Sequence, residues 1–304
     1  MPCLYHKEPG GKKPGFLNSL PKYAKPHHTL HIDHLGPFVT TKNGNKYILV
    51  VVDGFSKFTY LKPVSNTSTK EAIENLEEIF VTMGNPRRLI CDAGTSFTSE
   101  EFTEHMNKKD IRIHTVAVGL PRGNGQVERV NKMVIDALAT SSTDTTKDDW
   151  DSRISNVQQG INSTQHRITQ HTPAELFLGI RLKTDSDLCN ESEDEEIDVS
   201  KIRKKAARNL EENRIRQNVE FNKRRCAPKM FIVGDKVLTK VTSFPANNES
   251  KKLLPKYRGP FTVVEVLPND RYKVKECIHS ERSQRMYEAI VGVENMKPFV
   301  IQEC

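Results

Sequence analysis

Three acidic residues stand where a carboxylate is costly or well placed for chemistry. Asp33 lies in His31-Ile32-Asp33-His34-Leu35-Gly36-Pro37, a segment that otherwise reads as a buried strand. An ionised carboxylate left alone in a core costs several kcal/mol, so a cation or a metal is expected beside it. Asp92 stands where Leu89-Ile90-Cys91 runs out into Ala-Gly-Thr, and open α/β sheets place reactive groups at such strand ends. Glu128 comes early in the helix expected after the Gly123-Asn124-Gly125 loop. Val127, Val130, Val134 and Leu138 form the apolar stripe of that helix, which leaves Glu128, Asn131 and Lys132 together on a neighbouring face.

Carboxylates from two strands and one helix suit a pair of Mg²⁺ (or Mn²⁺) ions, because hard cations prefer oxygen ligands. Such a pair, roughly 3.5 to 4 Å apart, activates a water or a 3′-hydroxyl and stabilises the leaving oxygen of an in-line phosphoryl displacement. Taken singly, Asp92 reads better as a cap or turn former, and Glu128 with Lys132 as an ordinary i, i+4 pair worth about 0.3 kcal/mol. Asp53 also ends an apolar strand, but Asp53-Gly54 is sufficiently explained by a hairpin turn and stays outside the expected site.

The elements that must position these residues follow from periodicity. Thr29–Leu35, Tyr47–Asp53 and Lys57–Val64 are β-branched or aromatic runs separated by Asn43-Gly44 and Asp53-Gly54, which predicts a three-stranded antiparallel meander. Thr69–Thr82 has apolar residues at helical spacing, with Gly84 as a stop signal. Arg88–Cys91 and Ile111–Thr115 read as strands, and Ser99–Lys108, Gln126–Thr140, Trp150–Asn162 and Pro173–Leu178 as helices. Hairpin strands followed by α/β alternation predict an α/β fold, a mixed five-stranded sheet with flanking helices.

Asp185–Asp198 is rich in Ser and acids and reads as a solvated linker. Lys201–Arg225 carries ten Lys/Arg against three Glu, without Pro or Gly, and predicts a long basic helix that either binds phosphates or merely connects. Lys236–Val241, Phe261–Val266, Tyr272–Lys275 and Ala289–Val293 are short alternating runs typical of a small β-barrel. The expected order is an extended basic leader (1–26), a core (27–182), an acidic linker (183–199), a basic helix (200–228) and a β domain (229–304).

The chain has 304 residues, enough for two domains, with 36% hydrophobic and 28% charged residues and a net charge of +7. No apolar run approaches the roughly 18 to 20 residues that span a bilayer, so no membrane partner is expected. The N-terminus lacks an apolar signal region, and the six cysteines are scattered without paired spacing, which fits a reducing compartment.

The segments around Asp33, Tyr47–Phe58, Cys91–Phe97 and Gly123–Asn131 together resemble the integrase core of gypsy-type LTR retrotransposons and retroviruses. Thirty-five residues separate Asp92 from Glu128, as in the acidic triad of that family. Asn162, Thr164, His166, Thr172, Pro173 and Gly179 resemble the signature that closes the core, so the likeness covers Pro26 to Arg181. It resumes at Lys256-Tyr257-Arg258-Gly259-Pro260-Phe261, which resembles the GPY/F module, an SH3-like C-terminal domain.

The resemblance implies an RNase H-like core acting as a polynucleotidyl transferase or endonuclease. Its partners would be donor DNA ends, a target duplex and further copies of itself. Lys132 matches a family position that holds DNA near the metals, and Arg122, Arg129 and Asn131 are further candidates on the same loop and helix. Phosphate contacts of this kind position a duplex without reading its sequence.

The family's His-His-Cys-Cys zinc domain is represented only by Cys3 and the Leu-Tyr-His that follows, and Cys3 with His6 cannot close a four-ligand site. A start at Met1 without protease or polymerase motifs suggests a stand-alone or domesticated product. A catalytically silent DNA- or chromatin-binding protein is therefore the alternative, and a nuclease acting on RNA in hybrids a third. Arg203-Lys204-Lys205 and Lys223-Arg224-Arg225 resemble halves of a nuclear-import signal, so a nuclear address after synthesis in the cytoplasm is expected.

Overall fold

A computed structural model describes residues 2–8, 10–16, 23–116, 125–141, 148–182, 197–241, 254–268, 270–276 and 288–299. These fall into two compact units. One takes the described residues of Met1–Ser19 and Arg216–Cys304, the other those of Leu20–Val116 and Pro121–Ile215. The linker expected at 183–199 lies largely outside the described residues.

The chain opens with α1 (Pro2–His6) and β1 (Lys13–Pro14). Then come β2 (Thr29–Leu35), β3 (Tyr47–Asp53), β4 (Thr59–Val64), α2 (Thr69–Met83), β5 (Arg88–Cys91), α3 (Thr95–Thr98), α4 (Glu100–Lys108) and β6 (Arg112–Thr115). Four helices follow: α5 (Gly125–Ser141), α6 (Trp150–Ser163), α7 (Pro173–Phe177) and α8 (Val199–Lys223). The C-terminal strands are β7 (Arg225–Cys226), β8 (Lys236–Lys240), β9 (Tyr257–Leu267), β10 (Arg271–Glu276), β11 (Glu288–Gly292) and β12 (Met296–Pro298).

The central sheet has the order β4-β3-β2-β5-β6, with β2–β3 and β3–β4 antiparallel and β2–β5 and β5–β6 parallel. Strand β3 is apolar at every position from Ile48 to Val52 because it is central and covered on both faces. Leu49 and Val51 pack into a core with Leu76, Phe80, Phe102 and Met106 of α2 and α4. Ile48, Val50 and Val52 face the opposite way, onto Val127, Val130 and Val134 of α5 and Trp150 and Ile154 of α6.

Side chains that bond backbone fix the helix positions. Ser68 accepts from Glu71 N at 3.3 Å, Ser99 from Phe102 N at 3.2 Å, and Thr172 with Glu175 forms a capping box on α7. Helix α6 lies against the edge strand β4. The buried Asn162 accepts from Thr59 N and donates to Thr59 O, both at 2.8 Å, and Gln158 one turn earlier accepts from Leu61 N at 2.7 Å. The signature residue Asn162 is thus structural.

The N-terminal half of α8 is docked and not a solvated connector. Ala206 and Leu210 are buried with Phe55 and Leu176, and Arg203 donates to Leu176 O at 2.8 Å and Phe177 O at 2.9 Å, closing the C-terminus of α7. Arg203, one of the three residues of the basic Arg203-Lys204-Lys205 triplet, thereby has a local structural use.

In the other unit, β11-β10-β9-β8-β12 form an antiparallel SH3-like sheet around Phe231, Val237, Phe261, Val263, Tyr272, Val274 and Met296. Gly259 in β9 has φ +129°, and a Cβ there would meet Val237 O at 3.0 Å, so the motif's glycine is required. The described residues up to Phe16 of the segment expected as an extended leader (1–26) belong to this unit, and those from Tyr23 to the other. Strand β1 pairs with β7, Tyr5 donates to Gly259 O at 3.2 Å, and Glu8 pairs with Lys240 at 2.8 Å. Among the described residues no helix is long and apolar enough to cross a membrane.

Candidate active site

Parallel pairing brings two of the expected carboxylates together. His31 of β2 registers with Ile90 of β5, so Asp33 and Asp92 each lie two residues beyond one matched pair, at the same margin of neighbouring strands. Neighbouring strands are roughly 4.8 Å apart. Helix α5 crosses β2 and β3 on its valine stripe, which puts its polar face over that margin. Asn131 Nδ2 donates to Asp33 Oδ2 at 2.9 Å and so ties helix to strand, while His34 N donates to Asp33 Oδ1 at 2.9 Å.

Burial pushes the Asp33 carboxyl up to about 6, and the Asp92 and Glu128 charges push the same way against the two hydrogen bonds. All three carboxylates therefore act in one field. Asp92 is exposed and its Oδ1 accepts from Gly94 N at 3.0 Å. A Cβ at Gly94 would stand 2.9 Å from that oxygen, so only glycine lets the carboxylate fold over its own turn. His34 stacks on Phe97 of α3 with ring centroids 4.8 Å apart, fastening the end of β2 to the segment after Asp92.

In this arrangement the three share a field and not a coordination sphere. Among the described residues no three His, Cys, Asp or Glu side chains lie close enough to hold one ion. Asp92 is turned onto Gly94, and Glu128 is exposed. One further observation bears on a cation: Asn131 Oδ1, beside Asp33, is buried without a hydrogen-bond partner. An acceptor left bare next to an under-compensated carboxylate fits a hydrated hard cation, whose waters donate.

Residues 24–121 match the family described as the integrase core domain. The segment is thus similar to an integrase core domain. The match contains Asp33 and Asp92, while Glu128 lies beyond it. The chain is similar to the Transposon Tf2-3 and Tf2-4 polyproteins of Schizosaccharomyces pombe, at 28% identity over 284 residues. That alignment takes in 90% of this chain but only 21% of each polyprotein, so the chain spans about a fifth of these relatives' length. In fold it is similar to a chain of the simian T-cell lymphotropic virus intasome solved in complex with PP2A regulatory subunit B56 gamma. That likeness has a TM-score of 0.57 and 17% identity, covering 99% of this chain and 87% of that one.

Lys132 is exposed on α5 one turn beyond Glu128. Arg129 is exposed too, with its Nε donating to Gly125 O at 2.9 Å, and Arg122 lies outside the described residues. Cys91, next to Asp92, is buried and its thiol is pushed up to about 12, chiefly by that burial, so it is inert.

Sequence reasoning passed over Asp53 as a turn former. It does close the β3–β4 turn, but it is also wholly buried. Its carboxylate accepts from Ser56 N and Ser56 Oγ, both at 2.6 Å, and from His27 N at 2.9 Å. The Ser three residues after the Asp was the available signal.

Proposed function

We propose that the integrase core is a metal-dependent polynucleotidyl transferase that processes DNA 3′ ends and joins them to a target duplex. The observation that carries this reading is Asp33: a half-buried carboxylate in the field of Asp92 and Glu128, beside an Asn131 oxygen that lacks a partner. A carboxyl raised by burial and by two like charges together is typical of a working site.

Asp33, Asp92 and Glu128 would hold Mg²⁺ or Mn²⁺. The exposed Asp92 and Glu128 are free of core packing and can rotate towards a cation. When bound, the divalent ions supply electrophilic stabilisation of the phosphoryl oxygens. Asn131 fixes the orientation of Asp33 through its 2.9 Å hydrogen bond, and the exposed Lys132 and Arg129 would neutralise phosphates of the substrate strand. The 28% identity with transposon polyproteins along 90% of this chain supports a role in DNA integration, with donor ends, target duplex and further copies of the chain as partners. A nuclear site of action belongs to the same proposal.

A strand-transfer assay with Mg²⁺ compares the native chain with Asp92→Asn and Glu128→Gln. Each substitution is expected to lower the rate by at least about 100-fold, on the scale seen when transition-state electrostatics are removed. Equal rates in all three proteins would overturn the proposal.

A further inference from the structure

The parallel ladder registers β2 with β5 only as far as His31 and Ile90, and Asp33 and Asp92 both stand two residues past that last pair. Pairing alone therefore does not set their spacing. Successive side chains of a strand point to opposite faces. Asp33 takes the face of α5, where Asn131 meets it, and His34 follows Leu30 and Ile32 onto the face packed by α2 and α4. There its ring lies flat on Phe97, with an interplanar angle of 6° and centroids 4.8 Å apart.

Phe97 is a fixed wall. It is 1% exposed, shares a core with Leu30, Ile32, Phe102 and Met106, and meets the Phe102 ring edge-on at 5.7 Å. Its N–H donates to Gly94 O at 3.1 Å, and Thr98 brings a backbone and a hydroxyl donor to the same oxygen, at 3.1 and 3.0 Å. Gly94 N in turn holds Asp92 Oδ1 at 3.0 Å, as His34 N holds Asp33 Oδ1 at 2.9 Å. An unbroken path thus runs from one carboxylate to the other through two backbone amides, one turn and one pair of stacked rings. Within that path only the stack crosses from β2 to the turn after β5. An aliphatic side chain would fill the same space, but two flat rings also fix their mutual angle.

We propose that His34 and Phe97 are positioning residues whose stack holds the Asp92 turn against the end of β2 and so sets the gap across which Asp33 and Asp92 share a divalent cation. The inference rests on the metal-dependent reading above. Asp92 is folded onto Gly94, and to reach a cation it has to leave that amide. A turn held at Phe97 lets the carboxylate swing by side-chain rotation alone, without its backbone drifting from Asp33. Groups that orient metal ligands without touching the metal change affinity by about 10- to 100-fold when removed.

Two measurements on the full chain test this role. Backbone amide exchange at Gly94 and Phe97 is followed in EDTA, and Mn²⁺ binding is followed by the EPR signal of the free ion. His34→Ala leaves the His34 amide on Asp33 and removes only the ring. It should speed exchange at both amides by about 10-fold and weaken Mn²⁺ binding by about 10-fold. Phe97→Leu, which keeps the core filled, should do the same. His34→Phe should return both values to within about 3-fold of native, since a flat ring is all that the stack requires.

Native exchange and native Mn²⁺ affinity in a folded His34→Ala chain would overturn the positioning role. So would a His34→Phe chain as impaired as His34→Ala, because the imidazole itself and not its flat shape would then matter. The two proposals fail separately. Fast exchange in His34→Ala beside a native chain that transfers no strand removes the catalytic reading and leaves the hold on the Asp92 turn. An active native chain whose exchange the His34→Ala substitution leaves unmoved removes the positioning role alone.

Discussion

Asp33 and Asp53 are carboxylates on two paired strands, Asp33 opposite Val50 and Asp53 opposite Leu30 in the same ladder. Their surroundings differ in kind. Asp53 is sealed from solvent, and that burial raises its carboxyl, but two backbone amides, a hydroxyl and the Lys57 charge all oppose the rise and no like charge adds to it. Asp33 is half-buried, has one amide side chain and one backbone donor, and its nearest charges are Asp92 and Glu128, both of its own sign. A buried anion with a full set of donors stabilises a turn, and one with too few is under electrostatic stress that a ligand can relieve. The contrast marks which carboxylate belongs to the frame and which to the chemistry.

The largest effect that could break this contrast is expected from Asp53→Ala. It strands the amides of Ser56 and His27 and should cost about 3 kcal/mol or more of stability in a urea melt. A loss below about 1 kcal/mol would deny Asp53 its framing role. Asp33→Asn should move stability the other way, adding about 1 to 2 kcal/mol at pH 8 in EDTA, since it removes a charge held against burial and two like charges.

The same stress has a pH signature. Because the folded state holds the Asp33 proton up to about 6 and the unfolded chain releases it near the ordinary 3.8, the native protein binds more protons between those values. The contribution of Asp33 to stability therefore rises as pH falls through 6 and is complete below the ordinary carboxylate range. Asp33→Asn should lack this component, and identical pH profiles would contradict the assignment. The smallest effect is that of Mg²⁺. About 10 mM should raise the melting temperature of the native chain by a few degrees, on the order of 1 kcal/mol for a millimolar site. The gain should be reduced below pH 6 and absent in Glu128→Gln.

Much of the architecture was legible in local chemistry. Period-two apolar runs broken by Asn43-Gly44 and Asp53-Gly54 gave the meander, and the valine stripe of α5 placed Asn131 on the face that reaches Asp33. What stayed hidden depended on partners remote in the chain. Nothing around Tyr5 or Lys13 announces that they meet Gly259 and Arg225, more than 200 residues away. The basic composition of α8 masked the sparse stripe of Ile202, Ala206 and Leu210 that docks it. Asp53 closes the expected turn, but its burial as a hub stayed hidden because a turn aspartate and a buried hub have the same two-residue signature.

The cover that α6 gives to β4 reaches beyond its own contacts. Along that margin the outward amides belong to positions 59, 61 and 63. The first two are occupied by Asn162 and Gln158, and the third is Pro63, which has no N–H to offer. A strand from another molecule would find no donor there, so the sheet cannot grow sideways at β4 into a fibre or a continuous two-chain sheet. Copies of this protein that associate through that side would do so by packing helices.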